Sequence, residues 1–219
     1  MSNNIAGTAA AVYQFSTGFA GGGTGNGSGT LGSPSNTRTV YSGNFDNIYM
    51  ISTAANPTGN IYVCGHSGDS LIPMLWQVPI LNNAIQTPIA GPALAGNALA
   101  DCSPVTEILN GSTDRIFVGV TTNNVTGSPI SCPAGNGCLM SFDVTLDAPF
   151  GASKATSGHI LANGGTSGVI IDNTVGSGTL AGASQVYFST LSNQACVGNG
   201  STGSGSGGCA VQASQAGLN

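Results

Sequence analysis

The stretch Asn60-Ile-Tyr-Val-Cys-Gly65 returns as Arg115-Ile-Phe-Val-Gly-Val120 and again as Gln185-Val-Tyr-Phe-Ser-Thr190. These runs are rich in β-branched and aromatic residues, too short for helices, and set between Gly, Asn, Pro and Ser, which predicts strands. Tyr62, Phe117 and Tyr187 hold one place in the three runs, and Val63, Val118 and Phe188 hold the next. Successive strand residues point to opposite faces. Most of these six are therefore expected to be buried against neighbouring sheets.

Around each run the same grammar repeats. The first segment has a strand over Asn47 to Thr53, the turn Asn56-Pro-Thr-Gly59, the run itself, and a third strand over Met74 to Val78. The second has Pro104 to Asn110, the turn Gly111-Ser-Thr-Asp114, the run, and Cys138 to Val144. The third has Gly168 to Asp172, a longer loop, the run, and Cys209 to Ala213. Ala84 to Ala90 and Gly158 to Ala162 are the candidate fourth strands. The three aromatics stand 55 and 70 residues apart. Antiparallel units at such spacing predict propeller blades or a related array, each burying its faces on its neighbours. The expectation is one all-β domain over residues 1–219 with almost no helix. It comprises about three to four blades of four antiparallel strands, with blade-like units at about 9–42, 44–90, 103–162 and 167–215.

The N-terminal unit is incomplete. Ala11-Val-Tyr-Gln-Phe15 fits a third strand and Arg38-Thr-Val-Tyr41 a fourth, with no first or second strand before them. Two expectations follow. These strands pair with another copy or with missing upstream blades of a longer propeller, or Arg38 to Tyr41 completes the unit running from Gly168 to Gln215 in a small ring. Met1-Ser-Asn-Asn has neither a basic n-region nor an apolar h-region, so it is not a signal peptide, and with a secreted composition the expectation is that the true N-terminus lies upstream or has been removed.

Composition narrows the function classes. Charged residues are 5% of the chain, against roughly 25% in an average soluble domain. The basic residues are Arg38, Arg115 and Lys154, and Glu107 is the one glutamate. Such a chain cannot dress the wet face of amphipathic helices. With a formal charge of −5 it has little with which to neutralise phosphates, so neither nucleic acid nor an anionic membrane surface is an expected partner. No 18-residue apolar run is present, so no membrane span is expected. Solubility rests on Asn, Ser, Thr and Gly, and Gly21 to Gly29 and Gly198 to Gly208 read as long loops between strands.

The six cysteines form local groups. Cys132 and Cys138 bracket Pro-Ala-Gly-Asn-Gly, Cys196 and Cys209 bracket a Gly/Ser loop, and Cys64 and Cys102 are left for each other. An even count with this spacing predicts disulfides and an oxidising, extracellular compartment. Chain entropy gives about 2.4 kcal/mol for the shortest loop and about 4 for the longest. Zinc would need CxxC knuckles or nearby histidines, and His66 alone lies close to a cysteine.

Other constellations carry little chemistry. His66-Ser-Gly-Asp69 reads as a solvated loop, because no Gly-x-Ser-x-Gly elbow accompanies it. His159 sits in a strand-like run as a structural residue. Asp143, Asp147 and Asp172 offer hard oxygen ligands without an Asp-x-Asp-x-Asp run. Among eight carboxylates the sequence cannot choose a pair for glycoside hydrolysis. Gly21-Gly-Gly-Thr-Gly-Asn-Gly27 lacks the Lys-Ser/Thr of a phosphate loop. Asn26, Asn110, Asn124 and Asn199 head Asn-x-Ser/Thr sequons, which leaves glycosylation open.

Several segments resemble a known group. Gly165-Thr-Ser-Gly-Val-Ile-Ile-Asp-Asn173, the run from Gly178 to Asn193, and the ending Gly208-Cys-Ala-Val-Gln-Ala-Ser-Gln-Ala-Gly-Leu218 are similar to the C-terminal part of uncharacterised secreted bacterial propeller-like proteins. Cys102-Ser-Pro-Val-Thr-Glu107 and Gly137-Cys-Leu-Met-Ser-Phe-Asp-Val144 resemble the same group. The resemblance covers nearly the whole chain and implies a propeller-type fold, secretion, and further blades upstream. It implies no activity. More distantly the units resemble quinoprotein repeats, which carry an Asp, a Thr-Gly turn and a docking Trp. Asp143 fits, but Leu146-Asp147 stands for Thr-Gly and no Trp follows, Trp76 lying inside a strand.

The expected function is a non-enzymatic extracellular structural or interaction protein assembling through open sheet edges. Its partners are further copies or upstream blades, with a glycan as a further candidate. The alternatives are a carbohydrate- or ligand-binding propeller and a degenerate quinoprotein-like enzyme. No catalytic residue, cofactor or metal ligand is assigned, and Cys64, Cys102, Cys132, Cys138, Cys196 and Cys209 are the structural sites.

Overall fold

Sheets stacked face to face in chain order make up the molecule. A computed structural model describes residues 10–15, 27–32, 39–68, 70–96, 98–123, 132, 135–145, 150–152, 154, 156–172, 185–196 and 206–214. The first layer is a hairpin of Ala11–Gln14 and Gly27–Thr30. The first sheet runs Asn44–Phe45, Gly59–His66, Pro73–Leu81, and then a broken fourth strand, Ala84–Ile85 and Ile89–Ala93, both parts pairing with Pro73–Leu81. The second sheet is the meander Thr106–Asn110, Thr113–Asn123, Asn136–Asp143, Gly158–Leu161. The third has Ile170–Asp172, Gln185–Ser189 and Ala210–Ser214, all antiparallel. A short ribbon, Gln194–Ala195 with Ser206–Gly207, lies between the last two of these strands.

The apolar core lies in three slabs between these layers. Ala10, Val12, Leu31 and Val40 meet Val63, Trp76 and Val78 between hairpin and first sheet. Tyr62, Cys64 and Leu75 meet Ile116, Val118, Met140 and Phe142 between first and second. Ile108, Phe117 and Leu139 meet Val169, Val186 and Phe188 between second and third. Along each second strand the pleat sends one residue back and the next forward. Val63, Val118 and Phe188 face the preceding layer, and Tyr62 and Phe117 the following one. Five of the six key positions are buried, and Tyr187 is half-buried.

Neighbouring sheets are linked where the chain enters their first strands. Val105 N–H donates to Ser42 C=O at 2.9 Å, and Thr106 Oγ1 donates to Val169 C=O at 3.1 Å. Gly119 is required at the second junction, because a Cβ there would collide with the Thr166 side chain.

Two expected strands are absent. Asn47 to Thr53 does not extend: Asn47–Ile51 is a single helical turn, and Asn44–Phe45 serves as the first strand. The cause is Asp46, whose carboxylate caps the turn by accepting from Tyr49 N–H at 2.9 Å. Phe45 stacks on Tyr49 with ring centroids 4.1 Å apart. Gly59 (φ +151°) completes the corner, since a Cβ there would lie 2.5 Å from the Tyr49 nitrogen. Nor do residues 39–41 form a fourth strand. Val40 is buried under the hairpin and Tyr41 packs against the slab between first and second sheets, while Arg38 lies outside the described residues. The partner of Ala11–Gln14 is instead Gly27–Thr30, the end of a segment expected to be loop. Its glycines suit it to the place: a Cβ on Gly29 would sit 2.7 Å from Pro88 Cγ of the first sheet. Ser206–Gly207 likewise forms strand within the other glycine-rich stretch.

The cysteines are joined as Cys64–Cys102, Cys132–Cys138 and Cys196–Cys209, with Cα separations of 6.4, 6.1 and 5.5 Å. The first crosses between sheets, Cys102 bridging to Val120 of the second sheet. The second closes the approach to Asn136–Asp143, and the third clips the ribbon.

Candidate functional site

Two regions gather chemistry or exposed apolar surface: a carboxylate cluster at the rim between the first and second sheets, and the outer face of the third sheet. The cluster is built by the helical turn and by the hairpin of Thr106–Asn110 with Thr113–Asn123. Asp46, fully buried, accepts from Tyr49 N–H, from Asn60 N–H at 3.0 Å and from Asn60 Nδ2 at 2.6 Å. Asp114, also buried, accepts from Asn47 N–H at 3.0 Å, which ties the second sheet to the helical turn of the first. Glu107 lies on the same face of that hairpin as Asp114, diagonally across the strand pair, so that the two carboxyls influence each other.

Two carboxyls so placed disfavour ionising together. Burial first, then the Asp114 carboxyl and the charge of Asp46, push Glu107 up to about 8. Burial also raises Asp114, against Glu107 and the hydrogen bond from Asn47. At neutral pH Glu107 therefore keeps its proton. The pair can hold a proton inside the junction, and Asp114 is bonded to backbone of the turn. Among the described residues no group of three or more His, Cys, Asp or Glu is arranged to hold a metal. Glu107, the one glutamate of the chain, was the visible signal for this cluster. Asp46 and Asp114 gave none, because the contact joins separate sheets.

The sequence candidates fall elsewhere. His66 ends the strand Gly59–His66 and is fully buried, not on a solvated loop, with Nε2 3.2 Å from Ala100 C=O and 3.8 Å from Asp101 Oδ1. The pull is structural: the ring fills space under the 98–101 segment. Ser67 Oγ bonds Ser70 Oγ at 2.8 Å and accepts from Ile72 N–H, so it shapes the turn. His159 is half-buried opposite Met140 in the second sheet. Asp143 bonds Thr145. Burial pulls its carboxyl upward, but Thr145 and the nearby Lys154 and Arg115 outweigh it and hold it below the usual range. Asp172 ends a strand of the third sheet, remote in the layer order from that group. Asn110 is exposed at the Gly111-Ser112 turn. Asp69, Asp147, Asn26, Asn124 and Asn199 lie outside the described residues.

The outer face of the third sheet carries Ile170, 70% exposed, beside Tyr187. With Ser167, Ser189 and Gln212 they line a groove of about 320 Å³ that contains no charged side chain. Among the described residues Ala210–Ser214 is paired on one side only, by Gln185–Ser189, where the other two sheets have fourth strands. Searches of known proteins return nothing similar: no family model, no curated protein and no solved structure matches this chain.

Proposed function

We propose that this chain is a non-enzymatic extracellular structural or interaction protein, of the secreted bacterial propeller-like kind, that assembles through sheet surfaces its own layers leave open. The observation that carries the reading is the third sheet, which lacks among the described residues the fourth strand its two predecessors have. A free, nearly uncharged edge is a template for further pairing. The propeller reading is supported by consecutive meanders stacked in chain order and hydrogen-bonded to one another at the entries to their first strands, Ser42–Val105 and Thr106–Val169. Three disulfides suit an oxidising compartment. No helix among the described residues is long and apolar enough to cross a membrane.

The test is sedimentation velocity on the oxidised protein across a concentration series up to about 100 µM, a range that detects even weak association. Species heavier than the 21.4 kDa monomer that grow with concentration, and repeating contacts in electron micrographs, are expected. A monomer throughout overturns the proposal.

A further inference from the structure

We infer that the outer face of the third sheet, centred on Ile170 and Tyr187, is where a second copy of this chain stacks, its hairpin Ala11–Gln14/Gly27–Thr30 adding the next layer. The inference rests on the self-assembly reading above and names its surface and partner.

Tyr62 is buried by the sheet that follows it and Phe117 by the sheet after that. Tyr187 holds the same place on the third sheet, on the face opposite Phe188, which looks back to the second sheet. The molecule thus has a direction, and its last face is of the type that the two preceding sheets cover. Continuity with those internal interfaces indicates a β-layer as the occupant, not an isolated small molecule.

The layer that opens every copy is the hairpin. One side of it is used: Val12 joins the core against the first sheet and Gly29 lies on Pro88. The other side carries half-buried Tyr13 beside Ser28 across the strand pair, with Thr30 opposite Ala11, which is itself buried. Ser28 and Thr30 are exposed. This side is as free of charge as the Ile170–Tyr187 groove, so stacking them desolvates no ion. The hydroxyls of Ser28 and Thr30 match the polar rim of Ser167, Ser189 and Gln212. The hairpin of the same chain has its apolar side committed to the first sheet. A contact between last face and first layer is head-to-tail, and gives a ring or a filament according to its rotation.

The experiment compares the oxidised wild type with Ile170→Glu and, as a surface control, Met50→Glu, which alters a residue 68% exposed on the helical turn. A carboxylate placed in a packed apolar contact is expected to weaken association by about 100-fold. Met50→Glu is expected to match wild type. Independently, a benzophenone amino acid in place of Tyr187 is irradiated in a mixture of isotopically heavy and light chains. The expected products join position 187 of one copy to residues 11–14 or 27–30 of another. If Ile170→Glu associates like wild type, or the cross-links stay within one copy or land elsewhere, this inference is overturned while self-assembly stands. If instead the wild type remains monomeric, both fall. Protection of position 187 by a neutral oligosaccharide on a monomer also overturns it, in favour of a glycan groove.

Discussion

Cys64 and Cys102 are bonded across the slab between the first and second sheets, Cys64 within the strand Gly59–His66 and Cys102 beside Val120. Both are buried in the same apolar cluster as Tyr62, Ile116 and Val118. The bond closes a loop with a sequence separation of 38, the longest of the three. Replacing both residues by alanine is expected to cost about 3–4 kcal/mol, or roughly 6–16 °C in Tm for a chain of this size. Differential scanning calorimetry checks it, and a Tm within about 2 °C of wild type contradicts the role given to this bond.

The Glu107–Asp114 pair makes stability depend on pH. Glu107 has a folded-state value of about 8, above the ordinary 4.5. Folding therefore takes up a proton between these values, and the contribution is complete below 4.5 and lost as pH rises through 8. Discounted for its partial exposure to solvent, the effect is about 1–2 kcal/mol, or roughly 2–8 °C lower Tm at pH 9 than at pH 5.5. Tyr62, whose hydroxyl burial pushes up, stays protonated across that window. Glu107→Gln removes the titration, so it is expected to flatten the alkaline loss. Equal pH profiles for variant and wild type refute the assignment.

What the sequence made legible was the repeating interior. Tyr62, Val63, Phe117 and Val118 are buried because layers lie on both sides of their sheets, which is why those strands read as continuous apolar runs instead of alternating ones, and Phe188 is buried on the one face that meets the second sheet. The helical turn at Asn47–Ile51 was hidden, since one turn shows no helical period and its residues Asn-Ile-Tyr-Met-Ile read as a strand. Gly27–Thr30 was hidden for the opposite reason. Glycine signals loop, yet here it is required by the close approach of Pro88. The open face at Ile170 could not be seen at all, because exposure is a property of the layer order and not of a local pattern.

Close packing between second and third sheets depends on Gly119. Its missing Cβ leaves room for Thr166, a β-branched side chain that is 4% exposed and has little freedom to turn aside. Gly119→Ala is expected to cost about 1–3 kcal/mol by overpacking. Thr166→Ala in the same chain removes the hydroxyl that collides, so the double variant is expected to recover part of that loss. Urea denaturation of the four proteins measures the coupling. Strict additivity would show that the two residues do not meet.

Asp46 ties the helical turn, the strand Gly59–His66 and the carboxylate cluster together. It accepts three hydrogen bonds, from Tyr49 N–H, Asn60 N–H and Asn60 Nδ2, while fully buried. Asp46→Ala strands those donors away from water and removes the cap, an expected loss of about 2–4 kcal/mol. Asp46→Asn is the sharper probe. It keeps an acceptor for the cap but removes the charge that helps to raise Glu107. Its Tm at pH 5.5 is expected to fall less than that of Asp46→Ala, and its alkaline transition to move to lower pH. The shift is downward because a nearby negative charge disfavours ionisation of Glu107, so removing it lets the proton leave sooner. Thermal melts of both variants between pH 5 and pH 9 decide the matter. An alkaline transition that stays in place in Asp46→Asn would separate Asp46 from the Glu107–Asp114 pair and leave it a structural cap alone.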